Sequence, residues 1–424
     1  MKKSIPQKLK ILFSHYSAKD RDGFSRNFMF ARELAAKGHD VTLLTSQDDD
    51  FIFPHHCEIR DGVRIVAFPE IGPRKLRRLG FGVLNIVLRS IYCLRHRFDI
   101  VQTDNGHRPA SGWPCRLNRL FYRSKYISEW WDYFHKGGLY DEKPWLQRHT
   151  IQEFEIRAEV RNKKIADGIV ALSQFTHNRA LGYGIEPQRV CIIQGGADID
   201  FIQYHPTTVN KLKFGIPEES FTFGFIGMSD SEFKDLLPFL EAVANLRDRI
   251  EINWFTTGLK LTPAIKHQYN IGPELIELGW IDYADYSDLL SCADVFVLLL
   301  QDNLVNKARW PNKLGDYLAA GRLILTNPVG EICELLPRYP HSFVCAEWNK
   351  TSVEAAILEL HRRQADLCTI GEISREIAEK DLSWHIQAQK LETFYYQILN
   401  QKPHSADASR GDVTPNPLKK TATA

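Results

Sequence analysis

Lys313 and Asp316 stand three residues apart in the stretch Asn306–Glu334, which reads NKARWPNKLGDYLAAGRLILTNPVGEICE. On a helix, residues at that spacing share a face. A cation suits phosphate and a carboxylate suits sugar hydroxyls, so the pair could hold a nucleotide sugar. Lys307 and Arg309 precede it in a basic loop, and Asn312 would open the helix. Orphan N–H groups and the dipole at such an N-terminus both favour an anion. Glu331 follows in a second loop, after Gly330. The same residues would also make an ordinary amphipathic αβ unit with solvated charges, so the pattern needs its context.

The elements around these residues follow from the same stretch. A helix is expected from Asn312 to Ala320. Gly321 closes it, since glycine takes the positive φ of a helix end without strain. The apolar run Leu323–Thr326 reads as a strand leading to Gly330 and Glu331. Upstream, Asp294–Leu300 (DVFVLLL) is a strongly apolar buried strand that delivers the chain to the basic loop.

The first half shows the same alternation. Leu9–Ser14 suits a buried strand, Ser25–Lys37 a helix and Asp40–Thr45 a second strand, a βαβ opening that implies a parallel, doubly wound sheet. No GxGxxG follows the first strand, which argues against NAD. Strands at Phe98–Thr103 and Tyr126–Glu129 end in the loops Asp104–His107 and Trp130–Gly138, the latter WWDYFHKGG. Such carboxyl-end loops are where α/β folds place ligands, and aromatic faces beside carboxylates suit sugars. His107 and Asp132 are therefore candidates to contact reacting sugars; each could equally be a structural loop residue. A long helix is expected over Trp145–Lys164, a strand over Gly168–Leu172, and a helix over Phe175–Leu181 with Ser173 as its N-cap. After a strand at Arg189–Ile193 and a linker at Ile199–Thr208, the pattern restarts. Strands are expected at Thr222–Ile226, Ile250–Thr256 and Ile276–Gly279, with helices at Tyr286–Cys292, Thr351–Arg363 and Ser383–Leu399.

Composition narrows the class. The 424 residues leave room for two domains and a tail, with 44% hydrophobic and 25% charged content. A net charge of +2 implies no polyanionic partner, so no nucleic acid. The eight cysteines include no CxxC pair, which favours free thiols in a reducing compartment over a zinc site. No run approaches the roughly 18 apolar residues of a membrane span, and no h-region follows Lys2 and Lys3. A cytoplasmic protein without a secretory signal is expected. Asp48-Asp49-Asp50 could hold a divalent metal, but the βαβ context favours a solvated loop, and no metal or cofactor is expected. Residues 73–97 carry Arg74, Lys75, Arg77, Arg78, Arg89, Arg95 and Arg97 and no acid, interleaved with apolar residues. Such a segment could lie on an anionic membrane from 74 to 97, or be a core-packed helix with solvated arginines.

The motif around Lys313 resembles the donor-binding motif of retaining GT-B glycosyltransferases of family 4, commonly Glu-Gly-Phe-Pro-x-Lys-Leu-x-Glu-x-x-Ala-x-Gly. Trp310, Pro311, Lys313, Leu314, Asp316, Ala319 and Gly321 fall in register. Asp316 takes the place of the second Glu and Ala308 that of the first, as in a subgroup of bacterial members lacking the first Glu. Gly23 matches the Gly-rich first loop of the family, although its usual second glycine is missing. Gly195-Gly196-Ala197-Asp198 resembles the family's Asn-Gly-Val-Asp. Gly227 and Lys234 match a Gly-Arg and Lys-Gly pair, with Met228 replacing the Arg. Lys307 or Arg309 could restore the missing charge.

The resemblance spans most of residues 9–399 and implies two Rossmann-like α/β domains facing a cleft. Residues 1–205 would form the acceptor domain, 206–382 the donor domain, and 383–400 a helix crossing back, with a disordered tail from 401 to 424. The implied function is transfer of a hexose from a nucleotide-diphosphate sugar to a saccharide or lipid-linked acceptor, with retention. Gly23, Gly227, Lys234, Arg309, Asn312, Lys313, Asp316 and Glu331 would bind the donor. Ala308 and Met228 keep a non-catalytic partner or sugar-nucleotide-binding subunit open, and a GT-B-fold epimerase is a third possibility.

Overall fold

The computed structural model describes residues 8–20, 24–48, 51–73, 77, 79–135, 137–141, 143–145, 148, 152–228, 230–258 and 260–401. Gly23, Asp49, Asp50, Arg74, Lys75, Arg78 and the tail from 402 lie outside the described residues.

The central parallel strands are largely buried on both faces, as strands covered by helices on both sides must be, whereas the edge strand His56–Arg60 is antiparallel and partly exposed. The strands form two sheets. The first contains β1 (Lys10–Ala18), β2 (Asp40–Ser46), β3 (His56–Arg60), β4 (Val63–Phe68), β5 (Ile100–Thr103), β6 (Lys125–Trp130), β7 (Gly168–Ala171) and β8 (Val190–Ile192). Its order is β3-β4-β2-β1-β5-β6-β7-β8, parallel except for the β3–β4 hairpin. The second contains β9 (Phe221–Met228), β10 (Ile252–Gly258), β11 (Leu275–Gly279), β12 (Val295–Leu298), β13 (Leu323–Thr326) and β14 (Phe343–Cys345). Its order is β11-β10-β9-β12-β13-β14, and every pairing is parallel. The expected α/β architecture is therefore present, with strand ends within a few residues of expectation.

Period-two alternation divides each strand between two hydrophobic layers. Ile11 and Phe13 face one side of the first sheet and Leu12 the other. Val295 and Val297 face one side of the second, Phe296 and Leu298 the other. Strand order reverses between β1 and β5 in the first sheet and between β9 and β12 in the second. In open α/β sheets these switch points open a crevice beyond the carboxyl ends of the strands. Asp104–His107 follow β5, and Gly227 and Lys234 sit at the end of β9 or just past it.

The last helix, Trp384–Asn400, packs on the first sheet. Leu391, Phe394 and Tyr395 join Ile11, Phe30 and Ile127 in one core, and the Tyr395 hydroxyl donates to Gln102 Oε1 at 2.6 Å. Where the chain crosses, Ala197 N–H donates to Leu382 O at 2.7 Å and Trp384 N–H to Ala197 O at 3.1 Å.

Some elements were not expected from the sequence: the β3–β4 hairpin and the helices Pro109–Tyr122 and Leu367–Asp381. The helix expected over Trp145–Lys164 is described as Gln152–Ile165, and most of 145–151 lies outside the described residues.

Candidate functional site

Lys313 opens the helix Lys313–Ala319, seven residues long, with Asn312 as an exposed N-cap position that makes no side-chain cap bond. The Lys313 ammonium donates to Gly227 O at 3.2 Å and to the Glu232 carboxylate, and sits 4.9 Å from the centre of the Phe225 ring. Gly227 has φ 69°, and a Cβ there would lie 3.5 Å from Lys313 Cε. Burial pushes the Lys313 amine down, and Glu232 opposes this.

Arg309 donates through Nη2 to Asp235 Oδ2 at 3.1 Å. Asp235 Oδ1 also accepts from Gln301 N–H at 2.9 Å and Asn306 Nδ2 at 3.1 Å. The short helix Asp230–Asp235 thus brings an acid to each of the two cations. Lys234, on the same helix, has an exposed side chain.

Asp316 lies one turn beyond Lys313. Its Oδ2 accepts from the Tyr286 hydroxyl at 2.9 Å. Burial pushes its carboxyl up to about 7, the Tyr286 hydrogen bond pulls it down, and nearby Asp198 pushes it up.

On the first sheet, two indoles anchor the loop that follows β6. Trp130 Nε1 donates to Glu159 at 3.1 Å and Trp131 Nε1 to Glu129 at 2.6 Å. Between the anchored β6 and the rest of the loop sits Asp132, whose carboxyl is pushed up by burial and pulled down by Arg309 of the second half. Asp132 is thus within electrostatic reach of Arg309. His107 is set by the turn at Gly106, whose carbonyl accepts from Asn162 Nδ2 at 2.9 Å and Arg116 Nη2 at 3.0 Å. Burial first, then Arg108, Lys163 and Arg116, push the His107 imidazole well below its usual value, so it is neutral at pH 7. Its ring lies 6.5 Å from Phe134 of the Asp132 loop.

Glu331 is placed differently from expectation. Its carboxylate does not face Lys313: Oε1 accepts from Gln174 N–H at 2.6 Å and Oε2 from Gln194 Nε2 at 2.8 Å, both in the first half of the chain. Gln174 is the first residue of the helix Gln174–Gly182, whose N-terminus favours a carboxylate. Beside it, Ser173 Oγ donates to Ala308 O at 2.6 Å. Trp310 is 3% exposed and packs against Gly195, where a Cβ would lie 2.8 Å from the indole.

The structure thus gathers Gly227, Arg309, Lys313 and Asp316 at one switch point, while His107 and Asp132 lie on the loops that follow β5 and β6 of the first sheet. Asn312 and Lys234 lie at the rim. Gly23 lies outside the described residues. Sequence reading missed Glu232, Tyr286 and Gln194, whose partners come from distant elements and carry no local spacing signal; Ser173 is the expected N-cap, and only its bond to Ala308 O went unseen.

The comparisons bear on the family and the fold. Residues 26–201 match the model described as Glycosyltransferase Family 4, and residues 220–363 match Glycosyl transferases group 1. No curated protein sequence matches the chain significantly. A sucrose-phosphate synthase from Thermosynechococcus elongatus superposes with a TM-score of 0.70 at 15% identity, covering 92% of this chain and 99% of that one. WaaG, a glycosyltransferase involved in lipopolysaccharide biosynthesis, gives 0.66 at 16% identity, with 91% and 99% coverage. Anabaena Alr3699/HepE in complex with UDP-glucose gives 0.65 at 14% identity, with 92% and 100% coverage. At such identities the likeness shows the GT-B fold.

Proposed function

This chain belongs to the GT-B-fold glycosyltransferases, one half matching each of two glycosyltransferase models, and on that premise we propose that it transfers a hexose with retention from a nucleotide-diphosphate sugar to a saccharide or lipid-linked acceptor. The observation that carries the reading is the convergence of Lys313, Arg309 and Asp316 at the second switch point, with Asp132 within electrostatic reach of Arg309. In this reading Lys313 and Arg309 stabilise the leaving diphosphate, helped by Lys234 and Asn312 at the rim. Fixed cations aimed where charge develops are the largest source of catalysis in such a site. Asp316 accepts the ribose hydroxyls. Gly227 lets the backbone approach the phosphates.

Asp132 and the neutral imidazole of His107 contact the reacting sugars from the first half, which takes the acceptor. Closure of the cleft excludes water and suppresses hydrolysis of the donor. UDP-glucose bound to the Anabaena neighbour supports a nucleotide sugar as donor.

The acceptor class rests on the surface of the first half. Val83, Val87, Ile91 and Leu94 are exposed along the helix Val83–Arg95, and Trp113, Leu120 and Phe121 along the helix Pro109–Tyr122 packed beside it. Arg95, Arg97 and Arg123 belong to the same surface segments. An apolar stripe with basic neighbours suits the face of an anionic membrane, where a lipid-linked acceptor resides. No helix among the described residues is long and apolar enough to cross a membrane.

The alternative is a non-catalytic GT-B-like partner. It is favoured by Ala308 and by the Glu232 carboxylate that occupies Lys313. The deciding experiment incubates the protein with a panel of nucleotide sugars, with and without saccharide and lipid-linked acceptors, and follows nucleoside diphosphate release. Acceptor-dependent release and a product that keeps the donor's anomeric configuration are expected. A change of sugar with donor alone would mean an epimerase. Binding without turnover for every acceptor would favour the partner reading.

A further inference from the structure

Tyr286 lies on the helix Tyr283–Leu290, thirty residues before Asp316. Its ring is not free to turn. It runs parallel to Tyr283 at 6.3 Å with planes 16° apart, and Tyr283 stacks on Phe201 at 4.3 Å with planes 9° apart. This ladder fixes the direction of the phenol hydroxyl, which donates to Asp316 Oδ2 at 2.9 Å. The bond engages one carboxylate oxygen, Oδ2, and restrains the side chain. We propose that Tyr286 is a positioning residue for the donor, orienting Asp316 and keeping it an ionised acceptor for the ribose hydroxyls of the nucleotide. This rests on the reading of Asp316 given above.

The surroundings make such help necessary. Asp198, on the segment that joins the two halves, lies near Asp316 and opposes its charge. Arg32 holds Asp198 through a 2.9 Å ion pair. Tyr283 borders Asp198, Asp316 and Arg32. Tyr317, next along the helix, accepts from Ile226 N–H at 3.2 Å through its hydroxyl and gives Asp316 nothing. Burial and Asp198 raise the carboxyl and the Tyr286 hydrogen bond holds it down, for a net value of about 7. A hydroxyl that donates to a carboxylate favours the charged form, so losing it moves ionisation to higher pH. Ribose hydroxyls donate well to a carboxylate and poorly to a neutral acid that keeps its own proton.

The test measures the dissociation constants of UDP, GDP and ADP by calorimetry, from about pH 6 to about pH 9. The tightest is taken through the parent, Tyr286→Phe and Asp316→Asn. Affinity of the parent should rise through about pH 7 and then level. Tyr286→Phe should show the same rise displaced upward by about one pH unit, hence about tenfold weaker binding on the acid limb, and recover at high pH. Asp316→Asn should bind weakly and lack the rise centred on about pH 7, keeping only the dependence set by the terminal phosphate's own ionisation near about pH 6.

A Tyr286→Phe profile that superimposes on the parent overturns the positioning role while Asp316 stands; one lowered by a single factor at every pH keeps the orienting role and overturns the effect on ionisation. Asp316→Asn binding as tightly as the parent overturns the ribose reading itself. Failure of all three nucleotides to bind the folded parent overturns both.

Discussion

Glu232 is the residue that most changes the reading of Lys313. A lysine waiting for a diphosphate would be expected bare, yet its ammonium is already held by a carboxylate 81 residues away in sequence. A diphosphate must displace that carboxylate before it can use the cation. The pair is about one fifth exposed on each side, so the competition is worth on the order of 1 kcal/mol. Glu232→Gln should therefore tighten nucleoside diphosphate binding about fivefold in titration calorimetry. Weaker binding would mean that Glu232 positions Lys313 for the phosphate. Gly195 makes a second residue-scale case. A Cβ there would stand 2.8 Å from the Trp310 indole, so Gly195→Ala should lower stability by about 1–3 kcal/mol in denaturant unfolding. Gly195→Ala with Trp310→Phe should recover most of it; no recovery would place the strain elsewhere. Lys313 and Asp316 were legible because they share one turn of one helix. Glu232 and Tyr286 were not, because tertiary structure alone brings them there. Glu331 stood out as a carboxylate beside a loop glycine, and its bonds to Gln174 and Gln194 could be known only from the fold.

Elements were legible where the sequence pattern was strong. Each parallel strand is a short apolar run, because helices cover both faces of the sheet. The β3–β4 hairpin carried a turn signal that went unread: Asp61 and Gly62 have φ 50° and 78°, as a two-residue hairpin turn demands. The helix Pro109–Tyr122 was hidden by an internal Pro114 and by small and polar residues on its buried face. That helix matters, because it doubles the apolar face of its neighbour Val83–Arg95. Arg89 of the same segment is fully buried and donates to His15 O, so not all of the basic charge is solvated. The paired helices should carry the protein to vesicles of anionic phospholipid in a sedimentation assay, with binding weakened by salt. Val87→Asp with Ile91→Asp should reduce binding at least tenfold without loss of fold, since both are exposed and each contributes apolar burial in the interface. Equal binding by parent and variant would remove this face from the membrane reading.

Among the polar contacts between the two halves, those of Glu331 and Ser173 sit beside the site. Glu331 spans from the second half to the Gln174 N–H and Gln194, and Ser173 spans back to Ala308 O. Because Glu331 is 4% exposed, losing its carboxylate strands donors in a dry seam. Glu331→Ala should destabilise the closed arrangement by about 1–3 kcal/mol and raise the radius of gyration in small-angle scattering, with donor KM rising more than kcat falls. An unchanged radius and unchanged KM would confine Glu331 to local packing. Two parallel sheets were readable from the βα alternation, whereas the cleft between them was what the family resemblance implied. Which groups cross the cleft was not readable, since domain contacts leave no periodicity in a sequence.

The donor site is the claim on which the rest depends, and thermal unfolding with nucleotides and nucleotide sugars tests it most directly. A ligand that binds only the folded protein raises Tm by mass action. One UDP- or GDP-sugar should raise the Tm of the parent, and Lys313→Ala, folded to the same extent, should lose that rise. Equal shifts in parent and variant, or no shift with any nucleotide in folded protein, would contradict the assignment of Lys313 and its neighbours as the donor site.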